Sequence, residues 1–403
     1  MTHDYVIVGG GLAGASAIEG IRAHDPKGSI LLLSRENHPP YHRPPLSKDL
    51  WFGKTTLDKL PVLSEEFYRE HGVELALRHD VVELNPERRM VWDDHGTTYE
   101  YGKLLLATGG TPRRLNVPGA DHETVHYFRY LEDYLYLQER APRLRHALVI
   151  GAGFIGMEVA AALRHAGADV TLLYPDPYPL HRVLPRDLGF FVADYYRQQG
   201  VETVSGEAVT RFENQGGEVV AYTNGGNSVT TQLVVAGVGI EPASDLAEAA
   251  GLEASGGGIE VDEYGCTTDP HIYAAGDVAI YPCIPIQRRM RTEHWDHAIQ
   301  HGKAVGANLA GAHQPYTHLP FFYSDLFDLG WEAVGEVESH LETHAVWKRE
   351  HREGVVYYLW DEVVRGVLLW NTWGAVDWAR GMIQAAKPTT REEREAAVPA
   401  GIL

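Results

Sequence analysis

Two glycine-rich turns, each set between an apolar strand and a run fit for a helix, restrict this chain more than any other feature. The first follows the strand-like Asp4-Tyr5-Val6-Ile7-Val8 and reads Gly9, Gly10, Gly11, Leu12, Ala13, Gly14. The second follows Ala147 to Ile150 and reads Gly151, Ala152, Gly153, Phe154, Ile155, Gly156. In each case a helix is expected next, to about Arg22 or His165, and then a second apolar strand, Ile30 to Leu33 or Val170 to Tyr174. A lone match to this pattern is weak; two in strand, turn, helix, strand context predict two dinucleotide-binding folds. The chemistry explains the spacing. Gly9 and Gly151 permit the tight turn, Gly11 and Gly153 let backbone approach a pyrophosphate, and Gly14 and Gly156 let the helix pack on the strand. The helix-terminal N–H groups then face the phosphates.

Composition narrows the function. At 403 residues the chain is long enough for two or three domains. Its 35 Lys and Arg against 55 Asp and Glu give a formal charge of −20, which argues against nucleic acid and against docking on anionic lipid. The two cysteines, Cys266 and Cys283, form no Cys-x-x-Cys, so no adjacent dithiol centre and no disulfide scaffold is expected; they read as core or loop thiols. No 18-residue apolar run and no signal-peptide pattern is visible, so the expectation is a cytoplasmic protein with no stable membrane insertion. The 21 histidines show no metal-ligand spacing, and no metal is expected.

Other strands end in polar or glycine residues, at the carboxyl edge where open α/β sheets bind ligands. Lys103 to Leu106 leads to Thr108 and Gly109, Gln232 to Ala236 to Gly239 and Glu241, and Ile272 to Ala275 to Gly276 and Asp277. Two dinucleotides on one chain imply electron traffic between a held flavin and a diffusible nicotinamide. Asp277 favours FAD, as an acceptor for a ribityl hydroxyl; its alternative is a helix N-cap. Glu36 is the candidate for the first adenosine ribose, although Arg35 is nearer in register. Asp176 is the candidate for the second. A carboxylate accepts from a free 2′-hydroxyl and repels a 2′-phosphate, so NADH is favoured, with His181, Arg182 and Arg186 close enough to soften the choice. In Pro39 to Leu50 the prolines stiffen a loop, and Ser47 is expected to cap a helix through Lys48 and Leu50. From Leu319 the texture changes to two strands at 355–360 and 367–370 and a helix at 376–386. The segment after Lys387 is poor in apolar residues and is expected to fray.

The fold class is therefore α/β, with two Rossmann-like dinucleotide-binding domains and a small α+β carboxyl-terminal domain. The expected boundaries are 1–117 with 246–318 for FAD, 118–245 for NAD(H), 319–386 for the third domain and 387–403 for a flexible tail.

Several segments carry a resemblance. PYHRPPLSKDLWF at 40–52, GAGFIGMEVA at 151–160, IYAAGDVA at 272–279, EHWDHAIQHGKAVGANLAG at 293–311 and GVVYYLWDEVVRGVLLWN at 354–371 are similar to the FAD-dependent pyridine nucleotide-disulfide oxidoreductases. The likeness is to their ferredoxin-reductase, apoptosis-inducing-factor-like and monodehydroascorbate-reductase-like group, over about 4–385. It implies non-covalent FAD, NADH as donor and hydride transfer to flavin N5. It also implies that Arg43 helps hold the FAD pyrophosphate and that Lys48, beside the flavin, pairs with Glu158. Thr108 and Gly109 would touch FAD, with Asp277 on the ribityl chain. Glu293, His294 and Trp295 would lie at the flavin ring, Tyr323 near it, and Gly239 and Glu241 beside the nicotinamide. Tyr323 stands where relatives commonly have Trp. The long hairpin and long insertion of the mammalian apoptosis-inducing factor are missing, so its cell-death role is not carried over.

The resemblance implies a ferredoxin- or rubredoxin-type iron–sulfur acceptor. A quinone or other small acceptor is the alternative, and an NADH-responsive interaction module, as a homodimer or otherwise, is the third. QRRMR at 287–291 is either a solvated loop or a docking spot for an acidic partner.

Overall fold

The computed structural model describes residues 2–255 and 257–402. Residue 403 of the expected tail lies outside them. The chain separates into two compact units, Met1–His42, Asp58–Thr111 and Glu241–Phe321 in one, and Arg43–Leu57, Pro112–Ile240 and Phe322–Leu403 in the other.

The first unit is built on a mixed sheet in the order Val73–Leu77, Ile30–Ser34, Thr2–Val8, Thr98–Leu106, Met90–Asp93, Val81–Asn85. Thr2–Val8 is flanked on both sides by parallel partners, Ile30–Ser34 and Thr98–Leu106. Ile272–Ala274 joins Thr98–Leu106 in parallel at its far end. Strands covered on both faces need continuous apolar runs, and Val6, Ile7 and Leu31 to Leu33 are buried accordingly. The helix Leu12–His24 packs against the helix Trp295–Leu309. Their approach is set by glycines: a Cβ at Gly302 or Gly306 would overlap the backbone of Ala13 or Ala17. Through that contact, the start of the second helix is fixed relative to the glycine turn.

The second unit contains a five-stranded parallel sheet in the order Val201–Ser205, Asp169–Tyr174, His146–Ile150, Leu233–Ala236, Val125–Tyr127. The helix Phe154–His165 starts at the second glycine turn. A carboxyl-terminal antiparallel sheet runs Phe321–Leu326, Leu329–Gly335, Val363–Trp370, Glu353–Trp360, Glu342–Arg349, with the helix Val376–Gln384 after it. Trp331 and Trp370 are fully buried and stack with ring centres 5.0 Å apart.

Three local expectations differ from what is found. Residues 43–57 group with the second unit. Ser47 does not open a helix; it closes the short 3-10 turn Pro44–Leu46, and its hydroxyl is used elsewhere. The segment after Lys387 is not simply a frayed tail. It contains the helix Arg391–Ala397, opened by a reciprocal capping box between Thr390 and Glu393. The low apolar content is offset by an ion pair from the buried Arg394 to the exposed Glu362 at 2.8 Å, and by the Tyr357 hydroxyl donating to the Arg394 carbonyl at 2.8 Å.

Candidate functional site

Each glycine turn separates into positions closed by protein and positions left open. Gly9 has φ of +120°, and a Cβ there or at Gly14 would overlap a backbone carbonyl, of Ala107 or Gly9 respectively. Gly151 and Gly156 are closed in the same way by Gly237 and by Gly151 itself. A Cβ on Gly11 or Gly153 meets nothing within 4 Å. These two glycines are the N-caps of the helices Leu12–His24 and Phe154–His165, and no side chain among the described residues caps either helix. Open space in front of uncapped helix N–H groups is a cradle for a pyrophosphate. The residues present therefore fit two dinucleotides.

In the first unit the polar candidates converge at the carboxyl edge of the sheet. Glu36, two residues beyond Ile30–Ser34, accepts from the Tyr41 hydroxyl at 2.6 Å. The Thr108 hydroxyl donates to the Ala243 carbonyl at 2.7 Å, tying its strand end to the next segment, and Gly109 supplies a left-handed φ of +65°. Arg291 links two candidates: it donates to the Asp277 carbonyl at 3.0 Å and pairs with Glu293 at 2.5 Å. His301, fully buried, accepts through Nδ1 from the Gly276 N–H at 3.3 Å and so holds the turn that carries Asp277. The Trp295 indole donates to His42 Nδ1 at 3.1 Å, which anchors the proline-rich loop to the start of its helix. Glu241 is exposed.

Behind this edge lies a stack of buried rings. His297 lies 4.6 Å from Tyr281 and 4.7 Å from His301, and its Nδ1 is 3.1 Å from the Tyr316 hydroxyl. Burial pushes the imidazole of His294 down to about 4 and that of His301 to about 3, and holds His297 well below the ordinary value with its histidine neighbours adding to the effect. All three are neutral at physiological pH. Neither the roles of Arg291 and His301 nor this stack was read from the sequence. The Gly302 and Gly306 spacing, which seats the helix, was a visible signal.

In the second unit Lys48 Nζ stands 2.8 Å from Glu158 Oε1. The same oxygen accepts from the Ser324 hydroxyl at 2.6 Å, and Oε2 accepts from Ser47 at 2.6 Å. Lys48 is 8 % exposed and Glu158 2 %. A buried carboxylate is tolerated when a countercharge and hydrogen bonds saturate its oxygens, and here three donors do so. The Tyr323 ring lies 5.0 Å from Lys48 Nζ. Asp325, half-buried beside these groups, has its carboxyl pushed up by burial, while Lys48 and Lys54 pull the other way. Arg43 donates to the Arg129 carbonyl at 3.2 Å and lies over the Tyr130 ring. The Gly239 carbonyl accepts from the Arg113 N–H at 3.0 Å. Asp176 is exposed, two residues past Asp169–Tyr174, with His181 at 3.6 Å.

The basic run at 287–291 is largely neutralised. Arg289 pairs with Glu260 and Arg291 with Glu293. Cys266 is half-buried and Cys283 buried, both as free thiols. Among the described residues no cluster of His, Cys, Asp and Glu could hold a metal, and no helix is long and apolar enough to cross a membrane.

A mixed α/β molecule with two such cradles and a buried lysine–glutamate centre defines a two-dinucleotide redox protein, and the comparisons agree. Residues 3–302 match the pyridine nucleotide-disulphide oxidoreductase family, and residues 305–353 match the carboxyl-terminal domain of apoptosis-inducing factor, mitochondrion-associated. Monodehydroascorbate reductase 3 of Arabidopsis thaliana is 34% identical over 83% of this chain and 81% of its own. The crystal structure of the ferredoxin reductase for the CYP199A2 system of Rhodopseudomonas palustris superimposes with a TM-score of 0.91 at 32% identity, covering 99% of this chain and 98% of that one. Putidaredoxin reductase, in its covalent complex with putidaredoxin, gives 0.92 at 30% identity over 99% and 96%. The chain belongs to the pyridine nucleotide-disulphide oxidoreductase family. Within it, the protein is a ferredoxin-reductase-like flavoprotein whose cofactors are FAD and NAD(P)H.

Proposed function

We propose that the protein is an NADH-dependent reductase that passes electrons to a small iron–sulfur protein of the ferredoxin or rubredoxin type. When bound, FAD supplies the conversion of a two-electron hydride donor into single electrons. The chain supplies binding, orientation and electrostatics. The first glycine turn holds the FAD pyrophosphate, with Glu36 on its ribose and Thr108, Gly109, Asp277, Glu293, His294, Trp295, Arg43 and Tyr323 as the remaining contacts. The second turn, Gly151, Gly153 and Gly156, holds the nicotinamide dinucleotide, with Asp176 on the adenosine ribose and Gly239 and Glu241 beside the nicotinamide.

The observation that carries the reading is the saturated Lys48–Glu158 pair. It sits on the first turns of the helix that begins at the second cradle. A rigid ammonium held by a buried carboxylate fixes a positive charge where a reacting ring needs orientation, and orientation is what a hydride step demands. No proton donor is needed for that step. The iron–sulfur acceptor is supported by the putidaredoxin complex of a 30% identical relative.

A second reading, a quinone or another small acceptor, is favoured by one observation. Arg289 and Arg291 already carry carboxylates, which weakens the one basic run suited to an acidic protein.

Anaerobic stopped-flow absorbance tests the proposal. Bleaching of the 450 nm band by NADH at about 10 s⁻¹ or faster, slower with NADPH, followed by rapid turnover with a ferredoxin, supports it. Bleaching below about 0.1 s⁻¹ with both nucleotides at full FAD occupancy overturns it. Turnover with quinones alone selects the second reading.

A further inference from the structure

We propose that Tyr196 is a positioning residue for the hydride step, acting through the main chain of Glu158. The inference rests on the proposal that the Lys48–Glu158 pair orients the reacting ring.

Tyr196 lies in the helix Arg186–Gln198 and is fully buried. Its hydroxyl donates to the Met157 carbonyl at 3.0 Å. Met157 precedes Glu158 in the helix Phe154–His165, so this carbonyl belongs to the peptide plane that leads into Glu158. A helical carbonyl keeps a second lone pair beyond the one that serves its own ladder, and Tyr196 uses it. Ser47 and Ser324 fix the carboxylate of Glu158; Tyr196 fixes its main chain. Burial, with the charge of Glu158 added, holds the phenol well above its ordinary range, so it stays a donor at any working pH.

The ring of Tyr196 is itself held from the carboxyl-terminal sheet. Phe327 meets it edge-on, with centres 5.2 Å apart. Phe327 and Asp328 form the turn between the strands Phe321–Leu326 and Leu329–Gly335. Phe327 takes a left-handed φ of +58°, which a large aromatic residue adopts only at some cost. Tyr195 supports that turn: its hydroxyl donates to the Asp328 carboxylate and accepts from the Asp328 N–H at 3.3 Å. Arg352 lies over the Tyr195 ring at 5.1 Å. The same hairpin carries Ser324. It therefore reaches Glu158 by two routes, through the Ser324 hydroxyl to Oε1 and through Phe327 and Tyr196 to the main chain. A glutamate held at both ends gives Lys48 one position, and a hydride step loses rate steeply when a positioned group moves by about 1 Å.

The test uses the FAD-loaded protein and two readouts, anaerobic stopped-flow reduction by NADH and the visible circular dichroism of the bound flavin. Tyr196→Phe removes the hydroxyl and keeps the ring. It should lower the limiting rate about tenfold, leave the apparent Kd for NADH unchanged, and alter the flavin dichroism. Tyr357→Phe is the matched control, because its hydroxyl makes a bond of the same kind from a fully buried ring, to the Arg394 carbonyl. It should lower the urea midpoint as far as Tyr196→Phe does, with native rate and native dichroism. Phe327→Asn accepts the left-handed turn without the ring and should lose about threefold in rate, the scale of one aromatic edge contact. In a Glu158→Gln background neither Tyr196→Phe nor Phe327→Asn should change the rate by more than about twofold, since the group through which they act is gone. A native rate with native dichroism in Tyr196→Phe, an equal rate loss in Tyr357→Phe, or losses that persist in full beside Glu158→Gln each overturn the inference. If Glu158→Gln itself reduces at the native rate, the orienting role of the pair falls, which is a separable result.

Discussion

Lys48 and Glu158 form a buried ion pair, 2.8 Å between Nζ and Oε1, within one compact unit. Ser47 and Ser324 complete the carboxylate at 2.6 Å each, so its strongest acceptor sites are filled. Replacing one partner of a buried pair strands the other charge, at a cost of about 3 kcal/mol or more. Glu158→Gln keeps an acceptor for one of the two serine hydroxyls, faces the other with an amide NH2, and leaves the ammonium uncompensated. It should lose about 3 kcal/mol in urea unfolding. It should also slow flavin reduction by NADH about a hundredfold in stopped flow, the usual scale for lost orientation. Ser47→Ala leaves the pair intact and should cost only about 1 kcal/mol, with a rate within about threefold of native. An equal loss in both variants would contradict the pair as the organising contact.

The two kinds of glycine should separate stability from cofactor binding. A methyl at Gly14 or Gly156 would overlap backbone carbonyls, so Gly14→Ala and Gly156→Ala should lower the unfolding midpoint, overpacking costing about 1–3 kcal/mol. A methyl at Gly11 or Gly153 enters open space. Gly11→Ala should fold normally yet purify with less FAD, read from the 450 to 280 nm absorbance ratio. Gly153→Ala should keep its FAD and raise KM for the nicotinamide nucleotide. Unchanged FAD content in Gly11→Ala would move the FAD cradle elsewhere.

Buried histidines give the protein an acid-sensitive stability. His294 and His301 are held at about 4 and about 3 in the folded chain, below the ordinary imidazole value, and burial is the cause. Between those values and about 6.5 the unfolded chain binds more protons, so stability is complete above about pH 6.5 and declines as pH falls. At pH 5 each residue accounts for a loss of about 2 kcal/mol. Asp93, held at about 2 with His79, Thr97 and Tyr99 outweighing its burial, acts in the same direction only below about pH 4. Urea titrations at pH 7.5, 6 and 5 should therefore show a decline that His301→Gln makes shallower. A flat profile from pH 7.5 to 5 would mean that these rings are solvated.

How far the sequence could be read depends on how local each signal is. The glycine turns, their strands and their helices lie within about thirty residues of chain, and periodicity with turn chemistry finds them. The Lys48–Glu158 pair joins residues far apart in sequence, and only a family likeness pointed to it. Ser47 and Ser324 reach the same carboxylate across 111 and 166 positions, and nothing local marks either as a partner. Ser47 read as an N-cap because serine before a helix-compatible run is a local rule, while Pro44 and Pro45 in fact open a 3-10 turn that Ser47 closes. Arg291 and His301 were invisible for a related reason: one acts through backbone carbonyl and carboxylate contacts, the other through a backbone N–H. The Thr390-x-x-Glu393 capping box, by contrast, is local in sequence, yet the expectation for that segment rested on its low apolar content alone.

That carboxyl-terminal helix yields the last prediction. Arg394 is 4 % exposed. Its guanidinium meets Glu362 at 2.8 Å, the Thr389 carbonyl at 2.5 Å and His344 Nδ1 at 3.2 Å. Glu362 lies in the tight turn between Glu353–Trp360 and Val363–Trp370, with φ of +62°. The helix therefore clamps a hairpin turn of the carboxyl-terminal sheet, and Arg394 is the residue through which it does so. Arg394→Ala should destabilise by about 2 kcal/mol, since it removes the charge-assisted hydrogen bonds of a buried guanidinium, while water takes over at the exposed Glu362. Glu362→Gln should cost less, because the amide oxygen still accepts. Truncation before Thr390 should lower the unfolding midpoint at least as far as Arg394→Ala does. Hydrogen exchange should localise the loss to 353–370 and leave 2–8 and 30–34 protected as before. A truncated protein with native stability and native protection at 353–370 would show that the helix rests on the sheet without holding it.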